Sequence, residues 1–307
     1  MKCIVTGGAG FIGSHVADKL IGEGFEVKII DNLATGSKKN INPKAKFILA
    51  DIRKLKQIEP HFKNVDCVFH VAALPRLLPS FEDPVLFHEV NVLGALNCLI
   101  ASKKNKIKKF VYSASSSCYG NNFSIPTTES NGIDPLNPYA LQKYEGEMYC
   151  RLFAGQFGLP CVSLRYFNVY GPRSYNKADK YNAYSSVVEI FLTQKSQGKP
   201  LTITGDGSQK RDFVHVYDVA RANIAAIRYK AKKFDFFNIA SGKNYSVKRI
   251  ADLISDKQRH IPPRQGEAKL TLADISKAKT LLNWEPLISL EEGVKITARE
   301  LDKRSNG

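Results

Sequence analysis

The stretch TGGAGFIG, Thr6 to Gly13, constrains this chain more than any other part of it. It joins the apolar run CIV directly to SHVADKLIGEG, whose apolar spacing is helical. Gly7 permits a sharp turn out of a strand. Gly10 removes a side chain where a pyrophosphate would approach, and Gly13 lets the helix pack closely against a sheet. Phe11 and Ile12, between the glycines and ahead of that helix, are expected among the cofactor-binding residues, and the helix start offers free backbone amides to phosphate. A glycine triplet alone is a weak signal, but strand, glycines, helix and a second strand, EVKIIDN, in that order predict a dinucleotide site. The second strand ends at Asp31 and Asn32. A carboxylate there accepts hydrogen bonds from an adenosine ribose and repels the extra phosphate of NADP, so NAD is the expected cofactor.

AKFILADI, VDCVFHVAA and IKKFVYSAS continue the series of strands, with helical patterns between them, notably from His15 to Glu23 and from Phe87 to Lys104. Strands alternating with helices imply right-handed crossovers and a mainly parallel, doubly wound α/β sheet of the Rossmann type, covered on both faces. Ligands gather at the carboxyl edge of such a sheet, which brings in Asp51 and Ile52 near an adenine and Ala72 and Ala73 where a cofactor passes closely. After VSLRYFNVYGPR the order changes. A polar and aromatic loop runs through Tyr184, then a helical SSVVEIFLTQKSQG and a short strand PLTITGDG, before DFFNIASG suggests a return to the main sheet. The expected division is an NAD-binding domain over 1–173, returning near 212–240. A smaller, discontinuous C-terminal substrate-binding lid is expected from 174–211 and 241–307, with the ligand between the two.

At 307 residues and 43% hydrophobic content the chain has material for a sizeable core. A formal charge of +16 raises nucleic acid as a partner, but the lysines fall in short groups (38–39, 103–109, 230–233) at expected helix ends or loops. A solvated surface is the plainer reading. No aromatic-interleaved stripe or recognition helix accompanies the lysines, so no nucleic-acid partner is expected. The cysteines at 3, 67, 98, 118, 150 and 161 form no close pair and the six histidines no ligand spacing, which predicts reduced, buried thiols and no metal. Cys118 lies beside the candidate active stretch, and proximity alone assigns it no role. The first strand begins almost at Met1, without a signal segment, and no run of about 20 apolar residues stands out, so a soluble cytoplasmic protein without a membrane partner is expected.

SASSSCYG, Ser113 to Gly120, is followed by YALQK, Tyr139 to Lys143. Tyr139 and Lys143 are four apart, so on a helix they share a face. A lysine ammonium beside a phenol, helped by the positive charge of an oxidised nicotinamide, favours phenolate and creates a usable base. The spacing gains meaning from what precedes it, a dinucleotide motif and a strand ending in serines.

The segments TGGAGFIGSHVA, DNLATG, HEVNVLGALN, SASSSCYG, NPYALQKYEGE, LRYFNVYGPR, GDGSQKRDFVHVYDVA and PPRQGEAKLTLADISKAK resemble, in order and over nearly the whole chain, the extended short-chain dehydrogenase/reductase family. Within it the chain looks most like the nucleotide-sugar 4-epimerases of the UDP-glucose 4-epimerase kind. The resemblance implies that Tyr139 takes the proton from the sugar 4-hydroxyl while C4 gives hydride to bound NAD. It makes Ser115, four residues before Tyr119, a hydrogen-bond partner or proton relay for the same oxygen, and Lys143 the residue that binds the nicotinamide ribose and tunes Tyr139. The 4-keto sugar would then turn its other face and recover hydride, leaving NAD bound and regenerated. The related dehydratases place an acidic pair after the catalytic Ser or Thr, and the decarboxylases a glutamate; this chain has Ser116 and Ser117. The alternatives are another modification of a nucleotide sugar (UDP-glucuronate epimerisation, dehydration or decarboxylation) and a noncatalytic nucleotide sensor, which would be expected to lose Ser115, Tyr139 or Lys143.

The same resemblance puts Tyr166 near nicotinamide and Asn168 on the diphosphate sugar. Arg211 and Arg264 fall on the diphosphate, Arg76 is a further phosphate candidate, and Glu267 stands on the ribose hydroxyls where the family usually has aspartate. Thr271 occupies a position where a bulky tyrosine restricts some members to unsubstituted hexoses. Threonine leaves intermediate room, suiting UDP-glucose/UDP-galactose, slightly favoured, and the N-acetylated pair. Asn91 is expected to bridge backbone near the cofactor. Helices near 84–104 and 140–155 match the pair that builds a four-helix contact in family homodimers.

Overall fold

The computed structural model describes residues 1–75, 77–121, 124–174, 186–230, 233–262 and 270–305. The chain begins with β1 (Lys2–Thr6), α1 (Phe11–Gly22), β2 (Glu26–Asp31), β3 (Lys46–Leu49), a short α2 (Leu55–Ile58) and β4 (Cys67–His70). Then come α3 (Leu77–Glu82), α4 (Pro84–His88), α5 (Gly94–Lys104), β5 (Lys109–Ser115), α6 (Pro138–Phe157) and β6 (Cys161–Tyr166). Later elements are β7 (Val169–Tyr170), α7 (Val187–Ser196), β8 (Leu201–Thr204), β9 (Lys210–Asp212), β10 (Val214–His215), α8 (Val216–Arg228) and β11 (Phe234–Ile239). They end with β12 (Asn244–Ser246), α9 (Val247–Ile254), β13 (Gln258–Ile261), α10 (Ser276–Leu282) and α11 (Leu290–Ser305).

Seven strands form one parallel sheet in the order β11-β6-β5-β4-β1-β2-β3. Its strands are apolar on both faces because both are covered, and the faces separate with a period of two. Cys3 and Val5 of β1 point to a core shared with Val16, Leu20, Val219 and Trp284, whereas Ile4 between them joins Phe110, Leu99 and Phe153. α1 and α8 therefore cover one face, and α5 and α6 the other. A third apolar cluster gathers Phe191, Leu201, Ile203, Phe213, Ile250 and Val294 from α7, β8, α9, α11 and their neighbours. α9 contributes by spacing alone, burying Val247, Ile250, Ala251 and Ile254. Each fully buried large side chain there stabilises by roughly 1.5–3 kcal/mol.

Three details differ from expectation. The helix Pro84–Lys104, continuous through a π turn at Glu89–Leu93, is long and apolar enough by length and composition to cross a membrane. A little over half of its apolar window is buried, as befits a helix laid on the sheet. Lys109, at the end of a lysine run read as solvated, is buried in β5, where its Nζ donates to the Tyr229 carbonyl. Finally, although no two cysteines are close in sequence, Cys3 and Cys67 are register partners on neighbouring strands. All six thiols are free and buried.

Candidate active site

The strand order reverses beside β1: β2 continues to one side and β4 to the other, so their loops diverge and leave a crevice at the carboxyl edge. The cleft there is lined by Gly7 after β1, Asp31 at the end of β2, Asp51 after β3 and Ala72 after β4, with Ser113 of β5 and Tyr166 of β6. Gly10, Phe11, Ile12, Gly13, Asn32, Ile52, Ala73, Tyr139 and Lys143 line it too. Asn91 does not. It is buried behind the wall, its Oδ1 accepting from Leu74 N–H at 2.8 Å and its Nδ2 donating to the Leu74 carbonyl at 3.2 Å and Gln142 Oε1 at 3.3 Å. With its amide occupied in this way it shapes the cleft without facing it.

Gly7 adopts φ +71°, and a Cβ there would stand 2.7 Å from Ala72 N. A Cβ on Gly13 would stand 2.1 Å from the Gly7 carbonyl oxygen. The third glycine is therefore needed by the turn itself, where helix-to-sheet packing was expected. Gly10 is the N-cap of α1 and has no side-chain cap to offer, so the first-turn amides suit an anionic ligand. Asp31 pins the same turn: it accepts from Ala9 N–H at 2.9 Å and Leu33 N–H at 2.7 Å, while burial pushes its pKa up. Two carboxylate oxygens have lone pairs to spare for a ribose. Asp51 carries an unforeseen partner, Arg53, whose Nε reaches both its oxygens at 3.1 Å and which holds its carboxyl below the usual range.

α6 starts as its sequence dictates. Asn137 Oδ1 accepts from Ala140 N–H at 2.9 Å and Pro138 takes the first helical position. Tyr139 follows, its N–H donating to Ser80 Oγ of α3 at 3.2 Å. One turn on, Lys143 is 3% exposed. Burial brings its amine down to about 7, against the opposing pull of Cys150 and Glu147. Its Nζ lies 4.5 Å from the centre of the Tyr112 ring. Ser115 ends β5 just past Ser113 and Ala114, which line the cleft. Its Oγ accepts from Ser117 N–H at 3.2 Å and Ser117 O–H at 2.8 Å. The proton of Ser115 is thereby left to donate elsewhere.

Tyr166, which also lines the cleft, is fixed in place: its hydroxyl accepts from Asn223 Nδ2 at 2.9 Å and shares a hydrogen bond with Ser113 Oγ at 3.1 Å. Burial pushes its pKa to about 12, so it stays neutral. Asn168 and Thr271 come together 103 residues apart, Nδ2 to Oγ1 at 3.3 Å. Asp212 joins them, its carbonyl accepting from Asn168 Nδ2 and its N–H donating to Thr271 Oγ1. Its buried carboxylate also accepts from Ser241 N–H, Ser241 Oγ, Gly242 N–H and Ala273 N–H. Sequence reading missed Asp212 and named its neighbour Arg211, whose guanidinium donates to the Lys210 carbonyl. Arg76, Arg264 and Glu267 lie outside the described residues. Burial pushes the Cys118 thiol up to about 12, leaving it unreactive.

The profile of the NAD dependent epimerase/dehydratase family matches residues 3–240. A protein of Methanocaldococcus jannaschii provisionally named UDP-glucose 4-epimerase is 42% identical over 300 residues, 95% of each chain. Among solved structures, the chain is similar to UDP-glucose 4-epimerase of Thermotoga maritima with UDP-glucose, with a TM-score of 0.93, 38% identity and coverage of 99% and 100%. It is also similar to UDP-N-acetylglucosamine 4-epimerase of Methanobrevibacter ruminantium M1 in complex with UDP-N-acetylmuramic acid, with a TM-score of 0.92, 36% identity and coverage of 99% and 98%.

Proposed function

The chain belongs to the NAD-dependent epimerase/dehydratase family, with NAD as its cofactor, and from that premise we propose that it interconverts UDP-glucose and UDP-galactose at C4 and accepts the N-acetylated pair. The observation that carries this reading is the use of Ser117. Its hydroxyl is spent on Ser115, and neither it nor Ser116 offers a carboxylate to take a second proton from the sugar ring, as elimination requires. Oxidation at C4 is then left with reduction as its way back.

The amides at the start of α1 would hold the pyrophosphate, Asp31 the adenosine ribose, and Lys143 the nicotinamide ribose. Bound NAD would supply a reversible hydride acceptor. Tyr139 accepts the 4-hydroxyl proton as phenolate and returns it after the sugar has turned over. Ser115, itself accepting from Ser117, donates to the same oxygen. Lys143 stabilises the phenolate by its charge. For the sugar, Thr271 supports breadth: its hydroxyl is engaged by Asn168 and the Asp212 amide, and a threonine at this position would leave room for an acetamido substituent that a tyrosine ring would exclude.

The test is conversion of UDP-glucose, UDP-N-acetylglucosamine and UDP-glucuronate by purified protein without added cofactor, with products resolved by NMR and Tyr139→Phe as control. The expected result is the C4 epimer of the first two, lost in the control. No epimer from a folded, NAD-binding protein sinks the reaction for these sugars, and a dehydrated or decarboxylated product replaces it with the corresponding lyase.

We further propose a homodimer through α4, α5 and α6, supported by the exposure of Val85, Leu93, Leu141 and Leu152. Light scattering should give twice the chain mass, and Leu141→Glu with Leu152→Glu should halve it. The third apolar cluster would form the discontinuous substrate lid, and the buried reduced thiols fit work in the cytoplasm.

A further inference from the structure

The catalytic lysine is held by a residue that no motif marks. Tyr112 lies in the middle of β5, fully buried between the sheet and α6. It touches Lys143 twice: its hydroxyl donates to the Lys143 carbonyl at 3.1 Å, and its ring faces the Lys143 ammonium at 4.5 Å. α6 approaches it to a depth that requires glycine one turn further on, since a Cβ on Gly146 would stand 2.2 Å from the Tyr112 hydroxyl oxygen. Behind it the ring of His70, its register partner on β4, stacks at 5.8 Å and 13°.

We propose that Tyr112 is the positioning residue of Lys143, the face of its ring set against the buried amine so that it favours the ammonium. The role of Lys143 rests on the function proposed above, but the contact does not. Burial alone favours the neutral amine, and an aromatic face opposes this by attracting the cation. Among the described residues, the other titratable groups that act on Lys143 are Glu147 and Cys150 on α6 and His70 on β4. Of these, Glu147 is committed to Arg165, and His70 is held neutral by burial and by Lys143 itself.

The experiment separates the ring from the hydroxyl. Tyr112→Phe removes the hydroxyl. The same variant made with 3,4,5-trifluorophenylalanine keeps the shape and withdraws electron density from the ring face. Acetylation of Lys143 by acetic anhydride in the cofactor-free protein, read by mass spectrometry against pH, follows the neutral amine. The half-point should stay within a few tenths of a unit in Tyr112→Phe and fall by about one unit on trifluorination. An unchanged half-point on trifluorination overturns the inference, as does a full shift already present in Tyr112→Phe. The alkaline limb of kcat should move in parallel. If the wild type turns over none of the sugars yet the half-point falls as expected, the proposed reaction fails and this inference stands.

Discussion

The ion pair between Arg165 of β6 and Glu147 of α6 is a place where the helix that carries Tyr139 and Lys143 can be loosened without touching either side chain. The two side chains are 3% and 1% exposed, and Arg165 Nη2 meets Glu147 Oε1 at 2.5 Å. Arg165 Nε and Ser163 Oγ both donate to Glu147 Oε2, at 3.0 and 2.8 Å. The guanidinium also donates to the Tyr119 hydroxyl at 2.9 Å and stacks 4.3 Å from the centre of the Phe236 ring. Arg165→Met would leave the carboxylate buried with one serine donor, which costs about 3–5 kcal/mol. Adding Glu147→Leu removes the stranded charge, and the double variant should sit within about 1–2 kcal/mol of wild type. The assay is urea unfolding of all four members of the cycle. At a slope of ~3 kcal/mol per molar, the single variant should lose more than about 1 M in midpoint and the double variant should regain most of it. If the double variant loses as much as the two singles added together, the pair is not coupled through a buried charge and the reasoning fails.

Gly13→Ala should abolish measurable NAD binding by calorimetry and lower the melting temperature, because its Cβ would fall 2.1 Å from the Gly7 carbonyl oxygen. Burial brings both His70 and His215 down to about 3, with Lys143 and His15 adding to it, against about 6.5 for an unfolded histidine. Between those values the unfolded chain binds the extra protons, so stability is complete above about pH 7 and drains as pH falls, at up to about 1.4 kcal/mol per unit for each histidine. The His70→Gln, His215→Gln double variant should therefore show a shallower loss of melting temperature between pH 7 and pH 4.5. Thr271→Tyr should suppress turnover of UDP-N-acetylglucosamine by tenfold or more relative to UDP-glucose, measured as the ratio of kcat/KM values.

What could be read in the sequence was what is local in the chain. The glycine turn, the carboxylate ending β2, the Asn137-Pro138 helix start and the four-residue step from Tyr139 to Lys143 each lie within a few residues, so spacing alone reveals them. Residues that act across the fold escaped notice for the opposite reason. Ser80 meets Tyr139 from 59 residues away, and Tyr112 meets Lys143 from 31. Lys109 looked like its solvated neighbours until β5 took it into the sheet, where strand alternation, invisible in a run of lysines, decides which ones turn inward. The motif KRDF shows the difference most sharply. Its arginine advertises ligand chemistry in any context, so Arg211 drew attention. An aspartate reads as a surface residue until the fold brings donors to it. Four donors from two other segments converge on the Asp212 carboxylate, and its backbone joins Asn168 to Thr271, so the junction of these segments is assembled by a residue whose role exists only in three dimensions.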